Sequence, residues 1–459
     1  MLGTLTEETT VNGPLSKNDT LTRKFKSVNL YIYGLSGLAI LRWQYTHFSS
    51  LNHGKDDVFE IALQFRLLRQ EGYCVAADVF ECFNDKGKGF DMRQKENIKG
   101  MMELYEASQM RIEGEDILDE AKCFSSKCLN ALLTCDLDHN QARMIESTLQ
   151  YPYRKSFERL LSPQRFVNDM PGVNPWMEDL LEVANTERRI VQTMHQKEIH
   201  QINALFTVGP NSLFPHAFPT FQMKFARDQP PKWYMWSMAF LPDPSLFELR
   251  IELIKPISLV YIIDDIFDVH GIVDEIPIVK LHPFCPLSLS LSLSHTLTHK
   301  SWRDQECDYH FGAPLVLAHL FFLMGQNIAN QSMDSEKEEV QLPNTIFLVA
   351  EILRLWDDLG CAQDENQEGY DGSYVECYLR ENQGSSYQSA REHVMELISK
   401  LWKLLNKECL SPCPFSAPFL EACVNAAKMV SLMYNYEDKH GLGLLQDYMK
   451  SFSCDHETL

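Results

Sequence analysis

Between residues 56 and 202, apolar side chains return every three or four positions. Examples are DDVFEIALQFRLLRQEGY, NIKGMMELYEASQMRIEGEDILDEAKCF, ARMIESTLQYPYRKSFERLL and NPWMEDLLEVANTERRIVQTMHQKEIHQI, with Gly, Pro and Asn between the stretches. That spacing predicts a succession of amphipathic helices. The period fades in NALFTVGPNSLFPHAFPTFQ, which carries three prolines, and this is where a boundary between two helical halves is expected. The amino-terminal half is taken as 1–205 and the carboxyl-terminal half as 206–459.

Helical spacing returns in WYMWSMAF and in SLFELRIELIKPISLVYIIDDIFDVHG, where Pro256 should kink an otherwise apolar helix. It is lost again in IPIVKLHPFCPLSLSLSLSHTLTHKSWRDQE, which contains a strict Leu/Ser alternation from Leu287 to Ser294. Period two suggests a strand, but a lone repeat among helices has no sheet to join, so disorder or an insertion is the expectation. Helical periodicity resumes in APLVLAHLFFLMGQNI, PNTIFLVAEILRLWDDLG, SYQSAREHVMELISKLWKLLNKECL and FLEACVNAAKMVSLMYNY. The pattern as a whole predicts an all-α chain.

The 459 residues, 45% of them hydrophobic, are enough for two or three cores without disulfide or structural-metal support. The 13 cysteines are scattered and form no zinc-ligand spacing, which fits thiols in a reducing compartment. A net charge of −21 argues against a sequence-independent grip on nucleic acid or anionic membranes. No apolar run is long enough to span a bilayer, and the first residues carry no apolar core of a signal peptide. A cytoplasmic protein is expected, with plastid import as the alternative. An anionic substrate would then need metal ions or a local cluster of Arg and Lys.

Two acidic segments supply the candidate chemistry: Asp264-Asp265-Ile266-Phe267-Asp268, and the stretch from Asp357-Asp358 to Asp364-Glu365. On a helix, residues four apart stand one above the other, so Asp264 and Asp268 form an edge from which Asp265 is turned by about 100°. Asp357, Cys361 and Glu365 repeat the arrangement at i, i+4 and i+8. Such carboxylates suit Mg²⁺ or Mn²⁺, which also take substrate phosphate oxygens. A solvated acidic face is the bland alternative. The flanking VYII and ILRLW are apolar, however, and an unpaired buried carboxylate costs several kcal/mol, which a metal-diphosphate cluster would relieve. Arg227 and Arg354 are candidate phosphate contacts through bidentate guanidinium geometry.

LVYIIDDIFDVHG, LRLWDDLGCAQDENQEGYDGSYVECYL and KFARDQPPKWYMWSMA resemble plant class I terpene synthases of the linalool/nerolidol-forming type, and FRLLRQEGYCVAADVF and LYEASQMRIEGEDILDEA resemble the amino-terminal domain of that family. The resemblance implies an amino-terminal α-barrel-like domain followed by a class I terpenoid synthase helical bundle, acting as a monomer on a prenyl diphosphate, with no nucleic-acid or membrane partner. It implies three Mg²⁺ ions, with Mn²⁺ as a possible substitute, held by Asp264, Asp268, Asp357, Cys361 and Glu365. Arg227 and Arg354 would meet the diphosphate. Asp264, Asp265, Asp268 and Trp236 would carry the chemistry.

Concentrated divalent charge on the leaving diphosphate lowers the barrier to breaking the allylic C–O bond. Trp233, Tyr234, Trp236, Tyr261, Phe267 and Tyr378 are candidates to line the cation through contacts of roughly 0.5 to 2 kcal/mol each, although ordinary core packing is the commoner role of such rings. Among them only Trp236 occupies a place that resembles a cavity residue of the family. Water capture would give linalool from geranyl diphosphate or nerolidol from farnesyl diphosphate. The absence of RRx8W near the start fits an acyclic product, and the absence of DxDD, with His139 after Asp136-Leu137-Asp138, argues against protonation-initiated chemistry.

Three departures from the family pattern stand against this. Cys361 replaces a hard Ser or Thr hydroxyl with soft sulfur. The stretch 203–222 and the residues up to about 55 match weakly. The interval from Asp264 to Asp357 (357 − 264 = 93) is shorter than in the family, so helices of the cavity wall are expected to be missing. A catalytically impaired relative or defective gene product is the alternative.

Overall fold

The structure, a computed structural model, describes residues 57–83, 90, 97–157, 175–206, 230–270, 312–325, 342–361, 373–413 and 415–434. Every regular element among the described residues is helical. In chain order they are α1 (Val58–Gln70), a 3₁₀ segment (Ala77–Phe83), α2 (Ile98–Ser108), α3 (Asp116–Leu133), α4 (His139–Gln150), α5 (Pro175–Phe206), α6 (Pro230–Phe240), α7 (Phe247–His270), α8 (Gly312–Leu323), α9 (Asn344–Cys361), α10 (Tyr374–Glu381), α11 (Tyr387–Leu410) and α12 (Ala417–Tyr434). The chain is thus all-α. The Leu/Ser repeat lies outside the described residues.

Helix starts follow capping chemistry. Asp57, Asn97 and Asp138 accept backbone N–H bonds from Phe59, Gly100 and Gln141 at the starts of α1, α2 and α4, satisfying donors that have no intrahelical partner. The stretch from Asn97 to Phe124 reads as one periodic run, but it divides into α2 and α3. Between them Gly114 takes a φ of 87°, a left-handed conformation that a side chain would disfavour. Conversely, α5 continues to Phe206, beyond the expected fading of the period at Ile202, and α7 continues through Pro256.

Two hydrophobic cores form. In the first, α1, α2, α3 and α4 enclose Phe65, Phe80, Met101, Leu104, Leu118 and Ile145. In the second, α9 packs on α11 and α12, α6 packs on α7 and α12, and α8 lies against both α7 and α9. Phe157 and Ile202, which precede residue 206, belong to the second core.

The two cores are joined by a polar seam. Asn406 on α11 accepts from Arg154 Nε at 2.8 Å and donates to the carbonyls of Gln109 and Arg111 at 2.9 and 3.0 Å. Lys403 Nζ meets Asp119 Oδ2 at 2.6 Å, and Arg111 donates to Ser399 Oγ at 2.7 Å. The Asn406 amide thus closes two carbonyls just past the end of α2, where the chain turns away from helical geometry.

Candidate active site

The first acidic segment occupies the last turns of α7. Asp264, Asp265 and Asp268 are therefore helical, with Asp264 and Asp268 one turn apart on one face, as the spacing predicts. Their side chains lie outside the described residues. The turns before them are apolar and buried, with Leu253, Ile254, Ile257 and Leu259 in the second core.

Two neighbours hold this helix. Helix α6 carries Trp236, 5% exposed, whose Nε1 donates to Tyr261 Oη at 2.8 Å. On the same helix, Lys232 places Nζ 5.1 Å from the centroid of the Tyr261 ring. Tyr261 precedes Asp264 by three residues, about 4.5 Å along the axis, so Trp236 is fixed one turn from the acidic segment. On another side, α8 begins at Gly312, where an added Cβ would stand 2.4 Å from Val260 Cγ1. Only a residue without a side chain lets α8 approach α7 this closely.

Behind the site a buried polar chain ties α5, α6 and α7 together. Arg250 of α7 forms a fork on Glu198, Nε to Oε2 at 2.9 Å and Nη2 to Oε1 at 2.6 Å, and also donates to the carbonyls of Leu241 and Asp243. Tyr234 Oη donates to Glu198 Oε2 at 2.7 Å and pairs with His195 Nδ1. Burial pushes the His195 pKa down to about 4, despite the pull of Glu198, while Arg250 opposes protonation as well. Neutral His195 then donates to Tyr234, which donates to Glu198. Tyr234 is a candidate cation contact by sequence, yet its hydroxyl serves this internal chain.

The second acidic segment lies at the end of α9, which is described through Cys361. Asp357 is half-buried, and the adjacent Asp358 is buried. Asp358 Oδ2 accepts the backbone N–H of Tyr374 at 3.1 Å, at the first turn of α10, and stands 3.9 Å from Arg354 Nε. Arg354 is therefore beside Asp358, one turn back on α9. Nearby, Tyr378 stacks on His393 with ring centroids 4.7 Å apart.

Helix α8, which contacts both α7 and α9, bridges the helices bearing the two acidic segments. The side chain of Cys361 and the whole of Arg227 and Glu365 lie outside the described residues. Among the described residues, no group of three or more His, Cys, Asp or Glu converges. As donors, the carboxylates of the two segments fit a hard divalent cation, and the sulfur of Cys361 fits it poorly. Sequence reasoning missed Asp358, Lys232 and the Glu198–Arg250 fork, because each depends on a partner from another helix or a distant turn.

The model described as "Terpene synthase, N-terminal domain" matches residues 39–149, and "Terpene synthase family, metal binding domain" matches 219–279 and 308–404. The chain belongs to the terpene synthase family. Probable terpene synthase 13 of Ricinus communis is 39% identical over 90% of this chain and 79% of its own length. An (E)-nerolidol synthase of Cannabis sativa is 38% identical, covering 89% and 82%. The S-(+)-linalool synthase, chloroplastic, of Arabidopsis thaliana is 37% identical, covering 86% and 77%.

Among solved structures, isoprene synthase from grey poplar leaves, in complex with three Mg²⁺ ions and dimethylallyl-S-thiolodiphosphate, superposes with a TM-score of 0.71 at 26% identity, covering 90% of this chain and 87% of that one. This terpene synthase is thus an all-α lyase acting on prenyl diphosphates, with a domain that binds divalent metal. Residues 280–307 fall between the two matched stretches of the metal-binding domain, and they include the Leu/Ser repeat. No helix among the described residues is long and apolar enough to cross a membrane.

Proposed function

We propose that this terpene synthase ionises geranyl diphosphate, farnesyl diphosphate or both, and releases an acyclic tertiary alcohol, linalool or nerolidol. The observation that carries the reading is the 38% and 37% identity, over most of each chain, to a nerolidol and a linalool synthase. In the reaction the allylic C–O bond breaks and its electron pair leaves with the diphosphate. Water then bonds to the tertiary carbon and loses a proton.

Asp264, Asp268, Asp357 and Glu365, with Cys361 as a weak fifth donor, would hold Mg²⁺, and three ions are expected, as in the grey poplar complex. The ions, when bound, supply positive charge to the leaving diphosphate. Arg227 and Arg354 are read as diphosphate contacts, and Asp265 as part of the acidic edge. Trp236, 5% exposed and fixed by Tyr261, is read as an aromatic contact for the cation. Residues 206–459 form the catalytic domain in this reading and 1–205 the amino-terminal domain. It is a monomer with no nucleic-acid or membrane partner, placed in the cytoplasm, with the plastid supported by the chloroplastic linalool synthase.

A second reading, a catalytically impaired relative, is favoured by Cys361 and by the unmatched 280–307. Incubating purified protein with each diphosphate and Mg²⁺, followed by analysis of volatiles, separates the two. Linalool or nerolidol above an Asp264→Ala control supports the synthase, and product no greater than that control supports the impaired relative.

A further inference from the structure

One face of α11 collects cations where the two cores meet. Positions 399, 402, 403 and 406 stand at i, i+3, i+4 and i+7, the spacing of a single helical face. Arg111 donates to Ser399 Oγ at 2.7 Å, Lys155 places Nζ 5.8 Å from the centre of the Trp402 ring, Lys403 brings its own ammonium, and Arg154 Nε donates to Asn406 Oδ1 at 2.8 Å. Lys122 adds a fifth cation from α3, one turn beyond Asp119. Arg111 and Arg154 are buried, whereas Lys122, Lys155 and Lys403 are half-buried, so the three lysines stand on the solvent side of the cluster.

The negative charge available to this cluster is already shared. Asp119 meets Lys403 Nζ through Oδ2 at 2.6 Å and Arg111 Nε through Oδ1 at 2.9 Å. Among the described residues, neither Lys122 nor Lys155 has a carboxylate at ion-pair distance. Burial, and after it the charges of Arg111, Lys122, Arg154 and Lys403, hold the Lys155 pKa well below the ordinary lysine value. Burial and Arg111 bring Lys122 down to about 8 against the pull of Asp119. A chain with a net charge of −21 thus gathers five cations around one carboxylate. A bound anion would relieve their repulsion, and phosphate oxygens suit the three donors that each ammonium carries.

We propose that this seam binds a small phosphate anion, inorganic phosphate or diphosphate, through Lys122, Lys155 and Lys403. The site shares no residue with the acidic segments of α7 and α9 and does not depend on how those are read. Its anion lies between α3 of the first core and α11 of the second, so occupancy ties the two cores together.

The test is calorimetric titration of the full-length protein with inorganic pyrophosphate and, separately, inorganic phosphate, with chloride at matched ionic strength as the reference. EDTA is present throughout, so that no divalent metal holds either anion at the acidic segments. Wild-type binding is expected, weakened about tenfold or more in Lys155→Met and in Lys122→Gln, with most of the affinity recovered in Lys155→Arg. The melting temperature should rise with the bound anion in the wild type and hardly move in the uncharged variants. Far-UV circular dichroism accompanies each protein, and Lys122→Gln carries the comparison if Lys155→Met melts early. The anion that binds more tightly names the occupant. A wild type that binds neither anion beyond the chloride reference, or uncharged variants that bind as tightly as the wild type, overturns the proposal.

Discussion

Asp358 Oδ2 accepts the backbone N–H of Tyr374 at 3.1 Å, which joins the end of α9 to the first turn of α10 across the residues between them. The two adjacent aspartates thus do different work. Asp358 is buried and faces Tyr374 and Arg354, while Asp357, about 100° round the helix, is half-buried and is the proposed metal ligand.

Removing the Asp358 carboxylate leaves the Tyr374 amide without this acceptor and Arg354 without the negative charge 3.9 Å from its Nε. Asp358→Ala should lower stability by about 2 kcal/mol, the usual cost of stranding buried partners of a charged group. Asp358→Asn, which keeps an acceptor oxygen, should recover a good part of the loss. Chemical denaturation of the two variants measures the difference, and equal midpoints for Ala and wild type would contradict the assignment.

In the proposed site Cys361 stands where the resemblance to the family implies a hydroxyl. Cys361→Ser offers Mg²⁺ a hard oxygen, so the Mg²⁺ concentration needed for half-maximal turnover should fall several-fold, with little change in melting temperature. A Mg²⁺ titration of activity in the two proteins reads this directly, and an unchanged or higher requirement in the Ser variant counts against Cys361 as a ligand position.

The fork between Arg250 and Glu198 is buried on both sides, at 1% and 4% side-chain exposure. Glu198→Ala should cost about 3 kcal/mol or more, because it leaves the guanidinium uncompensated in the core. Thermal unfolding followed by circular dichroism checks it. A double replacement by apolar residues should be less harmful than the single one, a pattern that a loss of packing alone does not produce.

His195 carries a pH dependence. Its pKa is about 4 in the fold against an ordinary 6.5, so the unfolded chain takes up a proton first as pH falls. The stability this group contributes is complete above pH 6.5 and is lost as pH drops toward 4, an effect on the order of 3 kcal/mol from this residue. His195→Asn, which keeps a donor toward Tyr234, should flatten that part of the curve. Melting temperatures of the two proteins from pH 8 to pH 4 make the comparison, and parallel curves would remove His195 as the cause.

Much of the architecture is legible in the residues. The three- and four-residue spacing of apolar positions predicts α1 through α9, α11 and α12 as helical stretches, but not the short α10, and DDIFD and DDLGCAQDE mark the two acidic segments. Their family follows from the same motifs. The break between α2 and α3 is less visible, since the apolar period runs on through Gln109–Arg111 and only Gly114 signals the turn.

Helical periodicity and capping are local properties, set by neighbours within a few positions along the chain, and so the sequence alone determined the helices, their acidic ends and the terpene synthase character. Which aspartate is anchored at α10, which tyrosine hydroxyl is spent on Glu198, and which lysine lies over Tyr261 depend on residues brought together from separate helices. Those assignments were decided by tertiary packing, because a side chain's partner is fixed only when α5, α6, α7, α9 and α10 have come to rest against one another.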